Sequence, residues 1–99
     1  MAGAAITIDD EVMFGPYCVI VSSNHSRLNG SFRFGPPIQE PIYIGKGAWI
    51  ASHVTVTAGT SIGNGCIVAA NSVVTHSIPD NVLAAGQPAR VLRGFADEA

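Results

Sequence analysis

Ninety-nine residues make at most one domain, and a chain this short leaves much of its surface exposed unless something beyond its own core covers it. Hydrophobic residues make up 47% of it and charged residues 12%, against about 25% charged in an ordinary soluble domain, so burial against further copies of the chain is expected. The net charge of −2 and the scatter of Arg27, Arg33, Lys46, Arg90 and Arg93 exclude a nucleic-acid footprint, while the absence of a long apolar run or a leader-like start predicts a cytoplasmic protein that no membrane holds.

The first element is a coil over residues 6–25. Ile8, Phe14 and Ile20 recur every six positions, and Val12 and Cys18 follow the first two at the fourth place. The period then vanishes over residues 26–41, where SRLNGSFRFGPPIQEP carries Gly30, Gly35, Pro36, Pro37 and Pro41 as breakers. This stretch reads as one extended, irregular loop, a type that is usually functional or disordered in a compact domain.

The period returns over residues 42–79, with Ile44, Ile50, Val56, Ile62, Val68 and Val74 in unbroken register. The next residue is always small (Gly45, Ala51, Thr57, Gly63, Ala69, Thr75), and the fourth is small or β-branched (Ala48, Val54, Thr60, Cys66, Ser72, Ile78). Residues 80–99 leave the register, because Asp80 stands where the next aliphatic belongs and Pro79 removes a ladder donor. Pro88 suits the first turn of a short helix over residues 89–95, and residues 96–99 are expected to fray.

A period of six fits neither a helix nor simple alternation, but it suits a short strand plus a turn, with one large side chain inward per side. Gly45, Gly47, Gly59, Gly63 and Gly65 supply turns where a β-carbon is costly. Three such sides close a triangular coil of about eighteen residues, and coils stack at roughly 4.8 Å. The prediction is an all-β chain forming one domain over residues 1–99: a parallel β-helix of about three coils, with one extruded loop and a short C-terminal helix.

Its inward stacks should be Ile8–Ile44–Ile62, Phe14–Ile50–Val68 and Ile20–Val56–Val74. Cys18 then falls beside Val54 and Ser72, and Cys66 beside Val12 and Ala48, which predicts two separate core thiols rather than a disulfide. The period does not set the hand of the coil. Crossovers between parallel strands are nearly always right-handed.

The runs GKGAWIASHVTV, IGNGCIVAANSVVT and IPDNVLAAGQPARVLR, in this order and spacing, resemble the hexapeptide-repeat acyltransferases of the galactoside, maltose and nodulation O-acetyltransferase group. The resemblance covers about residues 6 to 95. It implies a left-handed coil, a homotrimer with sites between subunits, acetyl-coenzyme A as donor without a metal, and a hydroxyl of a sugar or similar small molecule as acceptor.

Carried onto this chain, the resemblance makes His25 the general base, since an imidazole can take the acceptor hydroxyl's proton and return it to the departing thiolate. It makes the backbone N–H of Ser52 the donor to the developing oxyanion. Trp49 becomes an aromatic wall of the pocket, Ala70 and Thr75 backbone contacts for the pantetheine arm, and Arg90 and Arg93, at i and i+3 of the expected helix, a cationic face for phosphate.

Each residue also has a plainer reading: His25 as a polar residue at the loop's start, Ser52 as a turn residue, Trp49 as a subunit contact, and the arginines as a solvated helix face. His53 reads as a structural turn residue or as an acceptor contact. His76 stands where the family has a lysine, which weakens phosphate attraction at neutral pH. The family's N-terminal helical region and first coils, which supply an asparagine and an aspartate to the acceptor site, precede the resemblance, and the chain is expected to lack them.

A competing reading is a trimeric hexapeptide-repeat scaffold that binds coenzyme A without turnover. A γ-class carbonic anhydrase would need three histidines converging on zinc, whereas His25, His53 and His76 occupy different phases of the repeat and include no close pair.

Overall fold

The structure is a computed structural model and describes residues 3–95. Its strands are two or three residues long in the coils, too short to persist alone, and each exists because the coil above or below satisfies its backbone. The first coil comprises β1 (Ile6–Ile8), β2 (Met13–Phe14) and β3 (Val19–Ile20). An arm built on β4 (Ser23–Asn24) and β5 (Ile38–Gln39) follows, and then a second coil of β6 (Ile42–Ile44), β7 (Trp49–Ile50) and β8 (Thr55–Val56). The third coil holds β9 (Ser61–Ile62), β10 (Ile67–Val68) and β11 (Val73–Val74), and a hairpin of β12 (Val82–Gly86) and β13 (Ala89–Gly94) ends the described chain.

Three flat faces result: face A orders β1-β6-β9, face B β2-β7-β10-β12-β13 and face C β3-β8-β11, with every coil-to-coil pairing parallel. The fold is a left-handed parallel β-helix. Its register reproduces the expected stacks. Ile44 pairs with both Ile8 and Ile62, Ile50 with Phe14 and Val68, and Val56 with Ile20 and Val74. The second- and third-coil members of these stacks are fully buried, and burying a side chain of this kind is worth roughly 1.5–3 kcal/mol.

Burial is lopsided along the axis. Ile8 and Phe14 point inward like their partners but stay 49% and 40% exposed, because no further coil covers the first one among the described residues. The opposite end is closed by β12, which buries Val82 and Ala84. Both cysteines are free: the Cys18 thiol donates to Ala51 O at 3.1 Å and the buried Cys66 thiol to Pro79 O at 2.8 Å. Burial pushes the Cys66 thiol pKa up.

The tail corrects the expected short helix. Residues 89–95 carry β13 and the residue after it, and β13 pairs antiparallel with β12. Local spacing around Pro88 fits a helix start, but β10 would otherwise expose an edge of unpaired backbone, and β12 satisfies it in parallel. Pro88 lies in the tight turn between the two strands instead. The fraying expected for residues 96–99 lies outside the described residues.

The stretch after the first coil is an arm rather than an irregular loop. Ser23 and Asn24 pair antiparallel with Gln39 and Ile38, and a bridge from Leu28 to Ser31 closes its tip. Asn29 and Gly30 both take positive φ there, the combination a two-residue hairpin turn demands.

Seven hexads turn through one residue in the left-handed region. Gly47, His53, Gly59, Gly65 and Asn71 hold this slot in the second and third coils, and Glu11 and Tyr17 hold it in the first. Glycine and asparagine accept such a φ readily, whereas residues such as Tyr17 (φ 62°) and His53 (φ 58°) sit there at a cost of about 1–3 kcal/mol each.

Candidate active site

The three edges of the prism share one backbone design, and one N–H of each turn is left over by it. In the turns of the second and third coils the slot residue donates to the chain one level before it, as Gly47 does to Asp10 O, His53 to Pro16 O and Asn71 to Ser52 O. The residue just ahead of the slot has no such carbonyl to reach. What becomes of its N–H depends on the side chains of the next coil.

Along the edge between faces A and B, side chains fill that role. Lys46 N–H donates to Asn64 Oδ1 at 3.0 Å, and Asn64 N–H donates to Asp80 Oδ1 at 2.8 Å. Gly45 and Gly63 permit the fit, since a Cβ on either would lie within 2.6 Å of the backbone or the capping oxygen of the next turn. Asp9 accepts from Asp10 N–H and from the Tyr43 hydroxyl, and these bonds with the nearby Lys46 ammonium hold its carboxyl pKa low, while the bond to the Asp9 carboxylate raises the pKa of Tyr43. Lys46 also pairs with Glu11 at 3.6 Å. This edge is fully engaged in holding coils together.

The edge between faces B and C differs. The residue below Ser52 is Ala70, which offers no acceptor, and among the described residues neither the Ser52 N–H nor the Ala70 N–H makes a hydrogen bond. Two donors are thus left in a row on one edge; on the edge between faces C and A, Ala58 at the same place also makes no N–H bond among the described residues, but there it has no such second donor beside an aromatic face. A donor left unpaired by the fold is available to a ligand. His53 occupies the slot beside Ser52, and its ring stacks on Tyr17 at 5.2 Å between centroids and 23° between planes.

Face B leads up to this edge. Its outward residues form a ladder in which Met13 pairs with Trp49, Trp49 with Ile67, Ile67 with Leu83 and Leu83 with Arg93. Trp49 is 46% exposed within it. Face A presents the more polar Thr7, Tyr43 and Ser61 in the same positions and face C the smaller Val19, Thr55 and Val73, so the outward ladder of large apolar side chains belongs to face B.

Arg90 and Arg93 are not one helical turn apart, as the sequence suggested, but lie on β13. On a regular strand an i, i+3 pair would point to opposite sides. The register slips between Leu83 and Ala84, so Arg93 pairs with Leu83 and Arg90 with Ala85, which share one side of β12. The two cations therefore keep a common face, and Arg93 also lies over the Phe95 ring at 5.3 Å.

His25, Thr75 and His76 lie elsewhere. Thr75 and His76 begin the turn between faces C and A, where Thr75 Oγ1 meets His76 Nδ1 at 2.9 Å. His25 follows β4 at the base of the arm, which leaves the prism after face C, and its side chain is exposed. A strand of face C thus separates His25 from Ser52 within one chain. The residues named from sequence fall into two groups: Trp49, Ser52, His53, Ala70, Arg90 and Arg93 on face B and its edge with C, and His25, Thr75 and His76 one face away.

Sequence reasoning missed Tyr17. Its signal was present, because Tyr17 stands at the hexad place that holds Gly47, Gly59 and Gly65 further along.

Comparison with known proteins agrees with the repeat and the fold. Residues 41–76 match the model of the bacterial transferase hexapeptide family, described as six repeats. The galactoside O-acetyltransferase of Escherichia coli is 38% identical over 92 residues, covering 93% of this chain and 45% of that protein. A hexapeptide-repeat acetyltransferase of Vibrio cholerae, solved with acetyl coenzyme A, superposes with a TM-score of 0.89 at 39% identity, covering 96% of this chain and 52% of that one. A maltose O-acetyltransferase of Clostridium difficile gives a TM-score of 0.87 at 35% identity, covering 93% of this chain and 49% of that one. The chain spans about half the length of the curated relatives it matches. Repeat, fold and relatives agree, and the chain belongs to the hexapeptide-repeat family of bacterial transferases.

Proposed function

We propose that the chain transfers an acetyl group from acetyl-coenzyme A to a hydroxyl of a sugar or similar small acceptor, in a homotrimer whose sites lie between neighbouring copies. The observation that carries this reading is the pair of unbonded N–H groups at Ser52 and Ala70, on an edge flanked by Trp49. Relatives that act as O-acetyltransferases, and one solved with acetyl coenzyme A, support it.

The thioester lies beside Trp49, with its carbonyl oxygen toward the Ser52 N–H. The Ala70 N–H and Thr75 meet the pantetheine arm, and Arg90, Arg93 and His76 meet the phosphates. Strand spacing puts Arg93 roughly 14 Å from Trp49 along the face B ladder, enough to separate an anionic end from a reacting end. Because His25 stands a face away from Ser52 in its own chain, the imidazole beside each thioester comes from the adjacent copy.

In the reaction, His25 takes the proton of the acceptor hydroxyl while its oxygen forms a bond to the thioester carbon. The carbonyl oxygen becomes an oxyanion, which the Ser52 N–H stabilises more strongly than the ground-state carbonyl. Collapse breaks the C–S bond and expels the coenzyme A thiolate, which takes the proton from the imidazolium. No metal enters the sequence of steps.

Thiol release from acetyl-coenzyme A with a panel of sugars, for wild type and His25→Ala, tests the proposal. A loss of at least about a hundredfold in His25→Ala is expected for a general base; equal rates would remove His25 from that role. Coenzyme A binding in calorimetry with no release for any acceptor would leave the non-catalytic scaffold as the better reading.

A further inference from the structure

We propose that Tyr17 and His53 form a stacking platform for the acceptor, taking the apolar face of a ring-shaped polyol beside the Ser52 N–H, and that Tyr17 is a specificity-determining residue. The inference rests on the acetyl-transfer reading for its setting but not for its test. It starts from the left-handed slot of the hexads, where Gly47, Gly59, Gly65 and Asn71 are residues that hold such a φ easily.

Glu11 and Tyr17 do not, and the third exception to glycine and asparagine, His53, is the partner of Tyr17. Glu11 is engaged by Lys46 across the coil boundary. Among the described residues the Tyr17 and His53 side chains engage only each other, through the ring stack, and Tyr17 remains 78% exposed. Among the described residues the Tyr17 hydroxyl makes no hydrogen bond. An exposed ring held in a disfavoured conformation does little for the fold, and asparagine would hold the same turn with less strain. Such outliers are characteristic of ligand-facing positions.

The placement is specific. The His53 N–H donates to Pro16 O at 3.0 Å, which locks the two slot residues on adjacent coils. Gly15, two residues before Tyr17, lies so close to Ser52 that a Cβ on it would come within 2.6 Å of Ser52 N. The first coil is therefore seated directly against the free donor, with the two rings alongside. Stacked aromatic rings offer a flat apolar surface with a polar rim, which suits the C–H face of a pyranose and its equatorial hydroxyls. A flexible open-chain polyol has no such face to present.

The test is an NMR titration of the full chain, saturated with coenzyme A, using methyl β-galactoside and, separately, sorbitol. Galactoside should shift the ring resonances of Tyr17 and His53, and sorbitol should not. In Tyr17→Asn the galactoside Kd should rise about tenfold or more, with the coenzyme A affinity unchanged and the Tm higher than wild type. Tyr17→Phe should bind galactoside within about threefold of wild type.

Unchanged galactoside affinity in Tyr17→Asn, or an equal loss of coenzyme A affinity, would overturn the platform. So would a change of oligomer mass in Tyr17→Asn with galactoside binding intact, since the pair would then be a contact between copies. Failure of wild type to bind coenzyme A would instead strike the acetyl-transfer reading, while the galactoside shifts still decide the platform.

Discussion

Asn64 lends its side-chain oxygen to the backbone N–H of Lys46 one coil away, whereas Ala70, at the equivalent place on the next edge, has nothing to lend to Ser52. Ala70→Asn should therefore close the Ser52 N–H as Asn64 closes that of Lys46, once Ala51→Gly gives its oxygen the room that Gly45 gives Asn64. The expected result for this double variant is a Tm close to wild type with kcat down by about 10²–10³, the cost of removing one oxyanion donor. Thiol release and thermal melts on the same samples check it, and an unchanged kcat would remove Ser52 from the mechanism.

Separation of His25 from Ser52 by face C makes complementation a direct measure of site sharing. The Ala51→Gly, Ala70→Asn double variant and His25→Ala should each be nearly inactive alone. Unfolded together and refolded, they should regain activity in about one quarter of sites, those pairing an intact His25 from one copy with an intact edge from the next. If each site were built within one chain, mixing would restore nothing.

The lopsided core predicts unequal costs for one substitution within a single stack. Ile44→Ala removes a fully buried side chain and should cost about 2–5 kcal/mol. Ile8→Ala, in the same stack but 49% exposed, should cost less than about half as much. Urea unfolding of both variants at one protein concentration gives the comparison, and equal losses would mean that the first coil is covered in solution.

Low pH should weaken the edge between faces A and B. The Asp10 N–H, the Tyr43 hydroxyl and the Lys46 ammonium all favour the Asp9 carboxylate, so its folded pKa lies below the unfolded one. Its contribution is present above the unfolded carboxylate value and is lost as pH falls through the folded one, below about pH 4. Tyr43→Phe should flatten that part of the stability–pH curve, and an unaltered curve would show that the bond is replaced by water.

The hexads were legible because one-sided burial imposes a repeat on the sequence itself: Ile44, Ile50 and Val56 each fill an identical inward place. Both hairpins were less legible. The turn at Asn29 and Gly30 is marked locally, but the pairing of Asn24 with Ile38 spans the whole arm, and residues 89–94 become a strand only because β12 has first been captured by β10. The two arginines share a side for a reason other than the expected one, since a β-bulge and not a helical turn puts them there. Least legible was the open Ser52 donor, which depends on the missing acceptor at Ala70.

The ladder Met13, Trp49, Ile67, Leu83, Arg93 makes face B a ruler graduated in strands. Its divisions are set by the backbone at roughly 4.8 Å and cannot be stretched by changing side chains. Splicing one more coil between β7 and β10 would move the guanidinium away from the indole by one division while leaving every turn and stack intact. The reach of a ligand gripped at both ends is thus fixed by counting coils, and a donor of different length would call for a different number of repeats rather than a different pocket.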